Sequence, residues 1–193
     1  MRVIAGDNGG RRLVAPPGRA TRPTSDRVRE AVFSMLESSM LDGSLIGGAG
    51  ERALGTLEGA TVWDLFAGSG AMGIEALSRG AAHVTFVEQA RSAVSAVRAN
   101  LAALGYGPER STIVAADVLN WVRPEQAKVD LVMADPPYAW QGWDVLLVRL
   151  EHLRPLVLAE TGADLGLPPG WQSLRAKRYG GTVVTLARFS EDR

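Results

Sequence analysis

Thr61-Val62-Trp63-Asp64-Leu65-Phe66-Ala67-Gly68-Ser69-Gly70-Ala71-Met72-Gly73 is the stretch that decides the fold. A short apolar run, Thr61–Phe66, reads as a buried strand and passes straight into a glycine-rich turn. A helical pattern then starts at Ala71. Glycines 68, 70 and 73 have the G-x-G-x-x-G spacing, with a strand before and a helix after. That context predicts a nucleotide-binding α/β unit whose loop residues Ala67, Gly68, Ser69 and Gly70 face a cofactor. Glu88 lies 20 residues beyond Gly68, at the end of the next predicted strand. An acid there can accept hydrogen bonds from ribose hydroxyls, because ligands bind beyond the carboxyl ends of such strands.

The pattern continues outward from this unit. Strands are predicted over residues 61–66, 83–88, 112–117, 129–135 and 156–160, alternating with helices over 71–79, 91–104, 119–122 and 143–153. Alternation of this kind predicts a mostly parallel, doubly wound sheet covered on both faces. Residues 171–179 and 182–189 read instead as an antiparallel hairpin turning at Gly180-Gly181. A parallel sheet closed by such a hairpin is more typical of nucleotide-cofactor methyltransferases than of dinucleotide dehydrogenases. Upstream, residues 2–6 and 11–15 read as a small β-hairpin turning at Asp7-Asn8-Gly9-Gly10. A helix follows, with Thr24 or Ser25 as N-cap and a stripe formed by Val28, Ala31, Val32, Met35 and Leu36. The expected organisation is a basic extension over 1–41, a linker over 42–59 that contains six glycines, and a cofactor-binding domain over 60–193.

Two further acids point to the kind of cofactor. Asp64 precedes Gly68 by four residues, where a carboxylate is ill-suited to a pyrophosphate but suits a ligand with an ammonium group. Asp117 ends the third strand, within reach of an adenine amino group. Its competing role is to N-cap the following helix. Glu88 could likewise cap the helix after it.

The fourth strand ends in Ala134-Asp135-Pro136-Pro137-Tyr138. The prolines fix φ and remove backbone donors. Asp135 and the Pro136 carbonyl can then accept from an exocyclic amino group while Tyr138 offers a stacking face. Taken alone, the segment could equally be a proline turn. Trp140 and Trp143 follow closely and line the pocket or pack at its rim.

Composition excludes other chemistries. There is no cysteine, so disulfides, thiolate metal sites and cysteine nucleophiles are ruled out. Two histidines, His83 and His152, leave no His cluster, and no metal site is expected. No apolar run approaches a membrane span and no signal peptide is visible, so a soluble cytoplasmic protein is expected, with nothing demanding more than a monomer. Net charge is zero, yet residues 1–29 hold seven arginines against two aspartates, a local +5. That distribution predicts a polyanion contact, with Arg11, Arg12, Arg22, Arg27 and Arg29 as candidate phosphate ligands. Some of them could pair with Asp26, Glu30 or other carboxylates of the body instead. Arg175, Lys177 and Arg178 could extend the surface.

These blocks together resemble S-adenosylmethionine-dependent methyltransferases of exocyclic amines, and closely the bacterial RsmD family. The specific matches are residues 2–6, 10–13, 22–33, 64–71, 75–80 and 135–138. The glycine loop and Asp-Pro-Pro-Tyr are shared with many amine methyltransferases, and the amino-terminal block singles out this family. The resemblance implies a Rossmann-like class I fold and methyl transfer to N2 of one guanine in small-subunit (16S) ribosomal RNA, within an assembled or assembling subunit. It implies cofactor roles for Asp64, Gly68, Gly70, Glu88 and Asp117, with S-adenosylhomocysteine as product. Asp135, Pro136 and Tyr138 would hold a flipped-out guanine. The competing readings are a DNA adenine-N6 methyltransferase and an NAD-dependent oxidoreductase. The first lacks room for a target-recognition segment, and the second leaves Asp-Pro-Pro-Tyr unexplained.

Overall fold

The computed structural model describes residues 1–16, 26–41, 56–123 and 128–190. Helix α1 spans Asp26–Leu41. Alternation then runs β1 Thr61–Leu65, α2 Ala71–Ser78, β2 His83–Glu88, α3 Arg91–Leu104, β3 Ser111–Ala115, α4 Val118–Trp121, β4 Leu131–Ala134, α5 Trp143–Leu150 and β5 Leu156–Thr161. The chain closes with β6 Trp171–Tyr179 and β7 Thr182–Phe189. One seven-stranded sheet results, in the order β3-β2-β1-β4-β5-β7-β6. The first five pair in parallel, and β7 runs antiparallel between β5 and β6. Strand order reverses between β1 and β4, which is where sheets of this kind bind ligands.

Burial explains why these segments form a sheet. Strands β4 and β5 are buried along their whole length, as strands covered on both faces must be. One core packs Val62, Phe86, Leu131, Met133 and Leu158 against α2, α3 and α1. The other packs Leu65, Val132 and Val157 against Leu146, Leu147 and Leu150 of α5. All eight residues of α2 are buried, which accounts for its small and apolar composition.

The amino-terminal segment belongs to the first of these cores. Val3 and Leu13 are buried with Val32, Phe33 and Leu36 against the sheet. Two strands were expected here; the structure has a single antiparallel bridge, Arg2 to Arg12. The physical reason lies in α2. Glu75, fully buried, accepts from the backbone N–H of Ile4 at 2.7 Å and of Ala5 at 3.0 Å. Ala5 N–H, which would face the partner segment if the ladder ran on past Val3, is thereby given to a helix side chain. Ser78 continues the docking: its carbonyl accepts from Asp7 N–H and its hydroxyl from Asn8 N–H. Gly6 sits at φ 77° so close to this turn that a Cβ would fall 1.8 Å from the Ser78 carbonyl oxygen. No other residue type fits there.

The third strand also ends earlier than expected, at Ala115, leaving Asp117 beyond it. The expected N-cap residues of α1, Thr24 and Ser25, lie outside the described residues, as does 42–55 of the linker. Leu57, near the linker's end, is buried in the core. No helix among the described residues is long and apolar enough to cross a membrane.

Candidate active site

Neighbouring strands present their carboxyl ends side by side. Along the edge lie Asp117 after β3, Glu88 ending β2, the glycine loop after β1 and Asp135 after β4. Leu65 pairs with Ala134, so Phe66 and Asp135 are the next residues on adjacent strands. Strands are spaced about 4.8 Å apart, so the edge from β3 to β4 spans roughly 14 Å, the extent of a nucleoside with a short extension.

The glycine loop is shaped by its own backbone and by two acids. Gly68 and Gly70 have φ of 55° and 78°. Gly70 N–H donates to the Ala67 carbonyl at 2.7 Å, and Ala67 N–H donates to Val87 on β2. Glu88 braces the loop: one oxygen accepts from Gly68 N–H at 2.9 Å, the other from Ala90 N–H at 2.8 Å. Glu88 does not cap α3, whose N-cap position is Ala90 without a side-chain cap; its carboxylate ties the glycine loop to the turn that leads into that helix. Asp64 is 4% exposed and accepts from Gly73 N–H at 2.8 Å. Gly73 is needed for that approach, because a Cβ would lie 2.3 Å from the Phe86 ring.

Burial pushes the Asp64 carboxyl up from 3.8 to about 8, against the lowering effect of the Gly73 bond, and the charges of Asp135 and Glu88 push it further in the same direction. Three carboxylates thus converge, and the groups that act on Asp64 include no cation of the protein. A ligand carrying an ammonium and a sulfonium relieves that repulsion, and a pyrophosphate aggravates it. The donor set therefore fits S-adenosylmethionine. Asp117 does act as the N-cap of α4, accepting from Asn120 N–H at 3.0 Å. That bond uses Oδ1 alone.

The Asp-Pro-Pro-Tyr segment sits beside this edge. Asp135 is half-buried, Pro136 buried and Tyr138 half exposed. Tyr138 is oriented from two sides. Its hydroxyl shares a 2.7 Å hydrogen bond with Thr182 Oγ1 at the start of β7, and its ring lies over Gly162. Phe66 has φ of 60°, uncommon for a bulky residue and a mark of backbone strain beside a site. Its ring meets Trp140 edge-on at 4.9 Å, and Trp140 meets Trp143 at 5.4 Å. Both tryptophans therefore pack as an aromatic wall next to the strand edge.

The arginines of the arm divide. Arg11, Arg12 and Arg27 are exposed, and Arg11 donates to the Ala103 carbonyl at 2.9 Å. Arg22 lies outside the described residues. Arg29 is a correction: it is fully buried, bonded to the Arg2 carbonyl and to Asp26 at 3.0 Å, with Glu75 at 4.0 Å. Its charge answers that of Glu75 in the interior and is not available to a phosphate. A helical stripe that left Arg29 on its polar side could not reveal this, because the docked arm covers that side of α1. A cleft of about 500 Å³ opens between arm and α1, where Arg2 and Arg27 stand with Asp26 and Glu30; no residue of the strand edge lines it.

Sequence reasoning did not single out Glu75, Thr182 or the strained Phe66. Glu75 had a signal, an acid within an otherwise apolar helix. The other two had none, since their roles arise from contacts between distant segments.

A Rossmann-like sheet of this order, with acids at successive strand ends and an antiparallel final hairpin, defines a class I methyltransferase. Known proteins bear this out. The family model described as Conserved hypothetical protein 95 matches residues 1–188. The chain belongs to that family, the RsmD family. It is 34% identical to YlbH of Bacillus subtilis, covering 96% of this chain and 97% of that one. It is 31% identical to ribosomal RNA small subunit methyltransferase D of Escherichia coli, over 95% and 87% of the two chains. The solved structure of yhhF from Escherichia coli superposes with a TM-score of 0.79 at 29% identity, covering 100% and 99%.

Proposed function

We propose that this protein methylates N2 of a guanine in small-subunit ribosomal RNA, using S-adenosylmethionine, on an assembled or assembling subunit. The observation that carries the reading is the placement of Asp135-Pro136-Pro137-Tyr138 directly beside the Asp64–Glu88 edge at the topological switch point. The family names add the RNA: relatives over nearly the whole chain are named for small-subunit ribosomal RNA.

S-adenosylmethionine, when bound, supplies an electrophilic methyl group on a sulfonium. Glu88 would hold its ribose, Asp117 Oδ2 its adenine amino group, and Asp64 its ammonium, with the backbone of Ala67, Gly68, Ser69 and Gly70 beneath. Tyr138 stacks on the flipped guanine, its ring fixed by Thr182 and Gly162. Asp135 and the Pro136 carbonyl accept hydrogen bonds from the N2 amino group and turn its lone pair out of conjugation. These acceptors are strongest where positive charge develops on N2, which is where they lower the barrier most. The departing N2 proton is then strongly acidic, so no histidine or cysteine base is required. Positioning of the amine supplies much of the remaining acceleration. Arg11, Arg12 and Arg27, with Arg2 beside them, would hold phosphates of the RNA.

The test is methyl transfer from labelled cofactor to small subunits lacking the modification, followed by nucleoside analysis. N2-methylguanosine is expected. Label in N6-methyladenosine, or none, would overturn the assignment. Asp135→Ala should lower turnover by about 100-fold or more while cofactor binding persists.

A further inference from the structure

Helix α3 carries a buried polar side chain that none of these steps uses. Asn100 is 2% exposed. Its Oδ1 accepts from Val14 N–H at 2.7 Å. Its Nδ2 donates to the Val14 carbonyl at 2.9 Å and to the Ser69 carbonyl at 2.9 Å. One amide therefore bonds the arm in both directions and the cofactor loop with its remaining N–H. A buried amide gains little net stability over a well-packed apolar residue, so its specific content is the geometry it enforces.

The linkage is not confined to one residue. Arg11 is bonded to α3 at Ala103, and Asn8 Nδ2 donates to Tyr106 Oη just beyond the helix at 2.8 Å. On the loop side, the Ser69 hydroxyl meets Met1 Sδ at 3.5 Å. Val14 is itself 60% exposed, so burial of its side chain does not explain why its backbone is held on both polar atoms. What holds it is Asn100, and the same amide sets the position of Ser69.

We propose that Asn100 is a positioning residue that couples the arm to the cofactor loop, so that RNA held on the arm and cofactor held by the loop favour each other. The proposal rests on the reading of the arm as an RNA contact. Phosphates bound by Arg11 and Arg12 order the segment that ends in Val14. A seated Val14 aligns the Asn100 amide, and the aligned amide fixes the Ser69 carbonyl. A ligand that orders either end removes part of the ordering cost for the other, and the effect is reciprocal.

The experiment is equilibrium binding of labelled S-adenosylhomocysteine with and without unmodified small subunits. The wild type should bind it about fivefold or more tightly when the subunits are present. Asn100→Ser should lose the tightening, its affinity with subunits equalling its own affinity without them within roughly twofold. Val14→Pro, at an exposed side chain, deletes the arm-side donor while leaving Asn100 in place, and should show the same loss. Undiminished tightening in Val14→Pro, or none in the wild type, would overturn the coupling. Methyl transfer to the same subunits, followed in parallel, separates the two ideas. Transfer without tightening sinks the coupling alone, whereas absence of transfer sinks the RNA reading with it.

Discussion

Asp64, as the proposed partner of the cofactor's ammonium, should make cofactor binding pH-dependent, and the size of the effect can be worked from the structure. Burial, with Asp135 and Glu88 nearby, holds the carboxyl at about 8 in the ligand-free protein. A cationic ligand favours the ionised form, so binding below that value requires the proton to leave. With the group titrating at about 8, roughly 1% is ionised at pH 6 and about half at pH 8. Apparent affinity scales with the competent fraction, which gives a rise of about 50-fold across that range. The same residue acts oppositely on stability. The unfolded carboxyl titrates near 3.8, so between that value and about 8 the folded state holds the extra proton. Ligand-free stability therefore falls as pH rises through this window and levels off above it. Asp64→Asn keeps an acceptor for Gly73 N–H but removes the charge. It should flatten the affinity profile, weaken binding at pH 8, and stabilise the ligand-free protein above pH 8 by on the order of a few kcal/mol, at about 1.4 kcal/mol per pKa unit. Calorimetric titration with S-adenosylhomocysteine, in buffers of differing ionisation enthalpy, reads affinity and proton release together. Equal affinity at pH 6 and 8 with no proton released would refute the reasoning, as would an Asp64→Asn protein that binds like the wild type.

Other perturbations test the frame around that site. Glu75→Ala removes the acceptor of Ile4 and Ala5 and leaves buried Arg29 with Asp26 but without its interior carboxylate; a loss of about 3 kcal/mol or more is expected in denaturant unfolding. Gly6→Ala places a Cβ inside the Ser78 carbonyl, so the arm should undock, seen as faster amide exchange at Asp7 and Asn8 while the sheet stays protected. Replacing Arg11, Arg12 and Arg27 together should reduce the salt slope of RNA binding by roughly 0.7–0.9 for each phosphate no longer neutralised; an unchanged slope would count against the arm. Asp117→Ala should cost about 1 kcal/mol through removal of the cap and also weaken cofactor binding; a drop in stability alone would leave Asp117 as a cap and nothing more.

The alternating strands and helices, the glycine loop and the Asp-Pro-Pro-Tyr segment were legible in the chain because each is a local pattern. Apolar runs of period two or of helical spacing fix an element by themselves, and a strand–glycine–helix junction admits few conformations. The acids were legible for the same reason, since each falls in the last residues of a strand or just beyond it. The sequence also determined, through the absence of cysteine and the scarcity of histidine, which chemistries were closed to it.

Only the tertiary structure decided what each charged group does. Arg29 and Arg27 are two residues apart on one helix, yet one is buried against Glu75 and the other meets solvent. The two amino-terminal strands reduce to one bridge because a side chain some seventy residues away takes the Ala5 donor that would extend it. Asp64 shifts to about 8 because folding takes it out of water and draws two other acids toward it. Desolvation and Coulomb interaction depend on distance through space, which the order of residues does not encode locally. So Thr61–Gly73 announced a cofactor loop, while its grip on Glu88, Asp64 and Asn100 appeared only when the chain was closed.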